Sequence, residues 1–173
     1  NSDAIIHAAD SINLEFKFDH DGVCKMYMNS EDVDYELKSP LVSKYVSQIS
    51  TYPLLRQKIV KKQQIIGRSK GVVMEGRDIG SVVFPNAEVK LFITASIEVR
   101  AQRRYQELIN LGVKTKLSEV LNNLEMRDFS DSNRKDSPLY QVNDAILIDN
   151  TSLTIDEQFN TVVELLDSKK NLL

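Results

Sequence analysis

An Arg-Asp pair that follows an apolar run, and two local groups of arginines, are the residues of this sequence that could do chemistry with an anionic ligand. The pair is Arg77-Asp78, preceded by residues 71–76, Gly-Val-Val-Met-Glu-Gly. The β-branched residues of this run predict a buried strand with the charged pair at its tip. Ligands of open parallel sheets bind outside the carboxyl ends of the strands, so the pair is expected to face a crevice. The alternative is a solvated turn, in which paired charges contribute little.

The two glycines of this segment imitate a phosphate-binding loop. Gly71 and Gly76 are separated by four residues, as in Gly-x-x-x-x-Gly-Lys-Ser/Thr. In such a loop a strand precedes the glycines and Lys-Ser/Thr follows them, whereas here the apolar run lies between the glycines and Arg77-Asp78 follows. No other segment of the 173 residues has the pattern. The anion-binding arginines are therefore not accompanied by a phosphate loop in this sequence.

Composition indicates an ordinary globular chain. Its 173 residues suit one compact domain, or a core with a small insertion, and 42% hydrophobic with 27% charged residues is typical of an α/β protein. No apolar run approaches the length of a membrane span, so no membrane partner is expected. A net charge of -3 argues against a general nucleic-acid surface, so anion binding must be local.

Cysteine and histidine usage predicts neither disulfides nor a metal site. Cys24 is the single cysteine, interpreted as a small strand residue, and His7 and His20 are far apart in sequence. The chain shows no basic segment leading into an apolar one at its start, so a secretory signal is not expected. The expected compartment is the cytoplasm.

Turn residues and hydrophobic patterning predict the order of elements. A hairpin is expected from strands at 12–18 and 23–28 across Asp19-His20-Asp21-Gly22. Prolines at 40 and 53 are expected to open two helices, the second over 54–66. Beyond the strand at 71–76, further strands are predicted at 88–94 and 145–148, and helices at 96–112, at 117–126 and from 154. Strands that alternate with helices favour a parallel α/β sheet.

In this order and spacing, several segments carry a family resemblance. From about Leu14 onward the chain resembles the bacterial cytidylate kinases, a group of P-loop nucleoside monophosphate kinases. The segments that carry the resemblance are Val46-Ser47-Gln48, Pro53-Leu54-Leu55-Arg56, Glu75-Gly76-Arg77-Asp78-Ile79-Gly80, Val83-Phe84-Pro85-Asn86-Ala87, Phe92-Ile93-Thr94-Ala95-Ser96, Arg100 to Tyr105, Arg127-Asp128 and Asp131-Ser132-Asn133-Arg134. Asn86 departs from the Asp that is common there.

The resemblance implies a P-loop kinase-like parallel sheet flanked by helices, with its first strand and phosphate loop outside the 173 residues. Residues 1–10 and 67–173 would form the kinase core, with a lid near 100–112. Residues 11–66 would form a small inserted α+β subdomain that binds the acceptor nucleotide. On this interpretation the chain is a fragment of a kinase, the alternative being a truncated protein. Because parallel strands are normally covered on both faces, the segment alone is expected to be poorly stable.

The resemblance also implies which residues read the acceptor base. Ser47, Arg56 and Asp78 match the family's base-reading positions. The chemistry of cytosine agrees, because a carboxylate can accept from its exocyclic amine and an arginine can donate to its O2 and N3 atoms. Uracil presents an oxygen in place of the amine, so Asp78 is expected to discriminate against it.

Arginines would hold the phosphates. By resemblance, Arg77 and Arg134 bind the acceptor phosphate through their guanidinium forks, while Arg127 and Asp131 approach the sugar hydroxyls. Arg100, Arg103 and Arg104 fall where such kinases carry a mobile lid over the phosphates; the alternative for these three is a solvated basic helix face. Arg134 is the first candidate for stabilising the transferring group, with Arg77, Arg103 and Arg104 as further catalytic candidates.

The implied reaction is ATP-dependent phosphorylation of CMP or dCMP by a cytoplasmic monomer that uses Mg²⁺. The partners are the two nucleotides, without nucleic acid or membrane. Two other functions stay open: a catalytically inert nucleotide-binding module that keeps only the acceptor site, and a kinase for UMP or dTMP.

Overall fold

The computed structural model describes residues 2–37 and 39–170. The side chains of Ser2, Asp3, Pro40, Ser43, Lys44, Ser47 and Lys170 lie outside that description. The chain divides into two compact units, Asn1–Val73 and Met74–Leu173. Within the described residues, no helix combines the length and apolar composition that a membrane crossing requires.

The first unit joins a hairpin to a set of helices. Its elements are α1 (Ser2–Ala8), β1 (Leu14–Phe18), β2 (Cys24–Met28), β3 (Glu31–Asp32), α2 (Asp34–Leu37), α3 (Pro40–Ile49) and α4 (Pro53–Gly67). The predicted hairpin is confirmed: β1 and β2 are antiparallel, with Leu14 opposite Met28. The turn forms because the Asp19 carboxylate accepts from the amides of Asp21 and Val23 and because Gly22 takes φ 76°.

Both helices that were predicted from prolines are present. The Ser39 hydroxyl caps α3 by accepting from the Val42 amide, and proline occupies the first turn of α3 and of α4. Lys58 of α4 donates to the Asp10 carboxylate at 2.6 Å and to the Ile6 carbonyl at 3.2 Å, which ties the end of α1 to α4. The predicted division of the chain into core, insert and lid stays a prediction.

The second unit has helices around a parallel strand pair. Its elements are a single π-helical turn (Ile79–Val83), β4 (Leu91–Thr94), α5 (Ile97–Asn110), α6 (Leu117–Asn133), β5 (Ile146–Asp149) and α7 (Ile155–Lys170). Strands β4 and β5 are parallel, with Leu91 opposite Ile146 and Thr94 opposite Asp149. The predicted class, α/β with helices and a parallel sheet, is thereby confirmed. The buried apolar side chains of this unit are Val83, Ala95, Ala101, Val120 and Ile148.

Two predictions about elements were wrong. Residues 71–76 form no strand, and the Val73 side chain is fully exposed at 101%. A β-branched run becomes a strand only through ladder hydrogen bonds, and within the described residues neither β4 nor β5 pairs with it. The second error concerns α6, which was predicted to end at Met126 but continues to Asn133. Its polar last turns are stabilised by ion pairs with neighbouring side chains, as described below.

Candidate anion-binding site

The loop that carries Arg77 and Asp78 is shaped by the π-helical turn that follows it. The Asp78 carbonyl accepts from the amides of Val82 and Val83, at 2.9 and 3.2 Å. Such π turns are rare and recur at functional sites. Gly76 allows the close approach of Ile79, because a Cβ at position 76 would lie 2.9 Å from the Ile79 side chain. The Arg-Asp pair therefore sits at the start of a tightly wound segment.

Lys90 fixes this segment to the strand pair. Its side chain, only 8% exposed, runs past Gly80, and its ammonium donates to the Pro85 carbonyl and to the Asp144 carboxylate, each at 2.6 Å. The Lys90 carbonyl accepts from Ile146 at the start of β5. The loop that bears Arg77 is therefore held in place through Lys90.

Two charged side chains of α6, Arg127 and Asp131, meet that of Arg134, the residue that directly follows the helix. Arg127 and Asp131 are spaced at i and i+4, so they are neighbours along the helix. Asp131 lies at the centre of the three and is buried, with 4% of its surface exposed. Its Oδ1 accepts from Arg134 Nη1 at 3.0 Å, and its Oδ2 is 3.8 Å from Arg127 Nε. Arg134 also donates from Nε to the Ser137 carbonyl at 2.6 Å.

Arg77 lies between two carboxylates of α6. Its Nε is 3.4 Å from Asp131 Oδ2, and its Nη1 is 3.5 Å from Asp128 Oδ1. Both distances are those of ion pairs and exceed the usual length of a hydrogen bond. Both carboxylate oxygens are buried, and neither accepts a hydrogen bond from the described part of the chain. Arg77 is thereby attracted by both carboxylates without being bonded to either.

Asp128 also reaches α5. Its Oδ2 accepts from Arg100 Nη1 at 2.5 Å, while Arg100 Nε donates to the Ala95 carbonyl at 3.0 Å. Arg100 is therefore attached at both ends, to the residue after β4 and to α6. We name the four arginines and two aspartates the Arg-Asp cluster: Arg77, Arg100, Arg127, Arg134, Asp128 and Asp131.

The other two arginines of α5 lie elsewhere. Arg103 donates to the Asn150 side-chain oxygen at 2.9 Å, and to the carbonyls of Asn150 and Leu153 at 2.8 and 3.2 Å. Arg104 pairs with Glu107, one turn along its own helix, at 2.7 Å. The structure thus distributes Arg100, Arg103 and Arg104 over three different sets of contacts.

The Arg-Asp cluster carries a formal charge of +2, from four guanidinium groups and two carboxylates. Burial, followed by the charge of Arg77, lowers the pKa of Arg127. Desolvation and like charge both disfavour a cation, so an anion placed beside these arginines would offset the repulsion between them. The chemistry that this arrangement supports is binding of a dianion such as a phosphate monoester.

The remaining predicted site residues fall in separate places. Asp78 is half-buried and directly follows Arg77. In the first unit, Arg56 Nη1 donates to the Ser50 carbonyl at 3.4 Å, where α3 ends. Ser47 lies one turn earlier in α3, and its side chain is outside the described residues. The predicted residues that the structure brings together are thus Arg77, Arg100, Arg127, Asp131 and Arg134.

Asp128 is a member of the Arg-Asp cluster for which the sequence suggested no role. Its partner Arg100 is 28 residues away, so no local spacing predicts the pair. The signal that could have found it is helical: Asp128 precedes Asp131 by three residues, which places both carboxylates on neighbouring positions once α6 is known to continue.

Comparison with known proteins identifies relatives along nearly the whole chain. A family model described as cytidylate kinase matches residues 1–168. The cytidylate kinase of Flavobacterium psychrophilum is 46% identical over 169 residues, which cover 97% of this chain and 75% of that protein. The cytidylate kinase of Flavobacterium johnsoniae is 48% identical over 168 residues, 96% of this chain and 73% of that protein. That of Lactobacillus johnsonii is 38% identical over 167 residues, 96% of this chain and 72% of that protein.

Proposed function

This chain belongs to the cytidylate kinase family, and from that premise we propose that it transfers the terminal phosphoryl group of ATP to CMP or dCMP. The observation that carries the proposal is the Arg-Asp cluster. Its formal charge of +2 complements a phosphate monoester, which carries about -1.5 to -2 at neutral pH. The positive charge of the cluster and the negative charge of the acceptor phosphate would therefore nearly cancel in the complex.

Arg77 and Arg134 are the proposed ligands of the acceptor phosphate. Asp131 attracts both, with its Oδ2 3.4 Å from Arg77 Nε and its Oδ1 3.0 Å from Arg134 Nη1, so the two guanidinium groups are oriented by one carboxylate. Positive charge that is already oriented costs no reorganisation when the phosphate arrives. Arg127 and Asp131 are proposed to approach the sugar hydroxyls, and Arg134 to stabilise charge on the transferring group.

Base recognition is proposed to depend on Asp78, with Ser47 and Arg56 as further base-reading residues. A carboxylate accepts from the exocyclic amine of cytosine and repels the oxygen that uracil presents at the same position. A buried polar group left unpaired by the wrong base is costly, so one carboxylate can discriminate strongly.

The proposed architecture follows the family. Residues 1–10 and 67–173 are assigned to a P-loop kinase-like core with a lid near 100–112, and residues 11–66 to an inserted acceptor-binding subdomain. A monomer in the cytoplasm is the proposed state. Within the core, Lys90, Asp144 and Asp149 are given no substrate role; their hydrogen bonds hold the loops that they join.

ATP and Mg²⁺ are the proposed donor and metal, as in the family generally. The 173 residues contain no Gly-x-x-x-x-Gly-Lys-Ser/Thr segment, and the described residues contain no group of three His, Cys, Asp or Glu placed to hold a metal ion. These residues therefore do not match a complete site for the donor phosphates and Mg²⁺. Arg103 and Arg104 stay proposed lid residues. The roles proposed for the Arg-Asp cluster are acceptor binding and, for Arg134, stabilisation of the transferring group.

The test is a coupled assay of ADP formation from ATP and Mg²⁺ with CMP, dCMP, UMP and dTMP as acceptors. Turnover of CMP and dCMP well above that of UMP and dTMP is expected. The matched variant is Asp78→Ala, which should reduce the preference for CMP over UMP. Preferred turnover of UMP or dTMP would replace the assignment, and CMP binding without any turnover would favour an inert binding module. An unchanged base preference in Asp78→Ala would contradict the role of that carboxylate.

A further inference from the structure

We propose that Asp128 is a positioning residue for the acceptor phosphate: its carboxylate, anchored by Arg100, fixes the direction of the Arg77 guanidinium. The inference rests on the proposed function, because it is Arg77 that would bind the phosphate. It also gives Arg100 a role that differs from contact with the donor nucleotide, namely to hold Asp128.

The first step of the argument is that Asp128 cannot move freely. Its Oδ2 accepts the 2.5 Å hydrogen bond from Arg100, whose own Nε is bonded to the Ala95 carbonyl at the end of β4. A charge-assisted hydrogen bond of this kind is about twice as strong as a neutral one. The carboxylate is thus attached through Arg100 to the residue that follows β4, and to α6 through its own backbone.

The second step concerns the other oxygen. Asp128 Oδ1 is buried, accepts no hydrogen bond from the described residues, and lies 3.5 Å from Arg77 Nη1. A buried carboxylate oxygen normally finds a donor, and Arg77 Nη1 lies within ion-pair distance of this one. Asp128 is therefore aimed at Arg77 by its covalent geometry and by Arg100.

The third step is the shared control of Arg77. Asp131 attracts its Nε edge at 3.4 Å and Asp128 attracts Nη1, so two carboxylates define the plane of the guanidinium. Arg77 stands on a loop outside any helix or strand, and its long side chain would otherwise sample many rotamers. A misplacement of the order of 1 Å at a group that positions substrate can cost about 100-fold in rate.

A positioning role and a merely structural one predict different kinetics. If Asp128 acts through Arg77, its loss should affect the acceptor phosphate alone and should have little effect once Arg77 is absent. If Asp128 only joins α5 to α6, its loss should reduce stability and the two substitutions should act independently.

The experiment uses the full chain with Asp128→Asn, Arg77→Met and the double variant, and Asp136→Asn as the exposed control. Asp128→Asn is expected to raise the KM for CMP by about tenfold, in the range found for coupled residues of one ion-pair network. In Asp128→Asn, the KM for ATP and the inhibition constant of cytidine, which lacks the phosphate, should change by less than about twofold. When Asp128→Asn is added to Arg77→Met, the KM for CMP should also change by less than about twofold.

Two further variants keep the inference testable if Asp128→Asn does not fold. Arg100→Met should reproduce the rise in the KM for CMP, because it removes the anchor, and Asp128→Glu should restore most of the wild-type value. Equal rises in the KM for CMP and for ATP, or additive effects of the Asp128 and Arg77 substitutions, would overturn the positioning role.

The two single variants and the double variant are also compared by a binding measurement that needs no turnover. Inorganic phosphate is the probe, and the rise in melting temperature that it causes is the signal. If the Asp128 and Arg77 substitutions reduce the stabilisation by phosphate non-additively, the positioning role is supported, even where the wild-type chain does not phosphorylate CMP. Absence of CMP phosphorylation contradicts the proposed function alone. If CMP is phosphorylated but the effects of the Asp128 and Arg77 substitutions are additive, the positioning role is contradicted and the proposed function is not.

Discussion

Removing the Asp131 carboxylate should destabilise the second unit more than removing any exposed aspartate. The side chains of Asp131 and Arg134 are 6% and 9% exposed, so the pair is buried on both sides. Loss of one partner of a buried ion pair costs about 3–5 kcal/mol, because the other charge is left without compensation. Arg134 keeps its hydrogen bond to the Ser137 carbonyl, which favours the low end of this range. The expected loss for Asp131→Ala is therefore about 3 kcal/mol.

The assay is urea unfolding followed by circular dichroism, with Asp131→Asn and Asp136→Asn as companions. Asparagine keeps an oxygen that can accept from Arg134 but loses the charge, so about half of the loss should remain. Asp136 is exposed, and its substitution should change the free energy of unfolding by less than about 0.5 kcal/mol. The reasoning would be refuted if Asp131→Ala and Asp136→Asn were equally stable.

Stabilisation by inorganic phosphate tests the role of Asp131 in the Arg-Asp cluster. Without Asp131 the Arg-Asp cluster has four guanidinium groups and one carboxylate, a formal charge of +3. Asp131 also orients Arg77 and Arg134, the proposed phosphate ligands, so inorganic phosphate should stabilise Asp131→Ala less than the wild type despite this greater charge. The same stabilisation by sodium sulfate and by phosphate, in wild type and variant alike, would indicate a solvent effect and contradict this prediction.

Three further predictions concern the elements that surround the cluster. Ser96→Ala removes the oxygen that accepts from the Val99 amide at the start of α5, and should lower the free energy of unfolding by about 1 kcal/mol in urea melts. Arg103→Lys cannot reproduce the forked contact with Asn150 and Leu153, so amide hydrogen exchange in 150–153 should accelerate; unchanged protection there would show that the fork does not order this loop. The hydrogen bond from Lys90 lowers the pKa of Asp144, so this carboxylate stabilises the fold above its unfolded pKa of about 3.9 and the contribution disappears as pH falls through the lower folded value. Asp144→Asn should therefore flatten the loss of stability below about pH 4 in melts across a pH series, and an acid limb identical to that of the wild type would argue against the contact.

Local chemistry is what the sequence predicted well. The hairpin turn depends on Asp19 and Gly22, and the start of α5 on Ser96, each within a few residues of its partner. Arg77, Arg127, Asp131 and Arg134 were also expected to act on one ligand, from the resemblance rather than from spacing. The structure brings these four side chains together through ion pairs.

Long-range pairing is what the sequence did not contain. Residues 71–76 have the composition of a strand, but composition supplies no ladder partner, and Val73 is exposed. The contact of Asp128 with Arg100 joins two helices and is invisible to any local pattern. The early end predicted for α6 had a further consequence. Ending the helix at Met126 concealed that Arg127 and Asp131 share a helical face and that the helix delivers Arg134 at its end.

The two aspartates explain how four arginines can be kept together before any ligand arrives. Guanidinium groups that lie close together repel one another, and the charge of Arg77 adds to burial, the larger cause, in lowering the pKa of Arg127. Asp131 lies near Arg127 and Arg134, and Asp128 lies near Arg77 and Arg100. Each arginine therefore has a carboxylate within 4 Å, so the fold can tolerate their proximity. A third carboxylate would cancel more of the positive charge that is proposed to attract a phosphate. Without Asp128 or Asp131, by contrast, an arginine of the cluster would lose the carboxylate that orients it. The balance of +2 is thus the condition under which the arginines are both stable and directed, and it links the stability of α6 to the affinity of the site for a dianion.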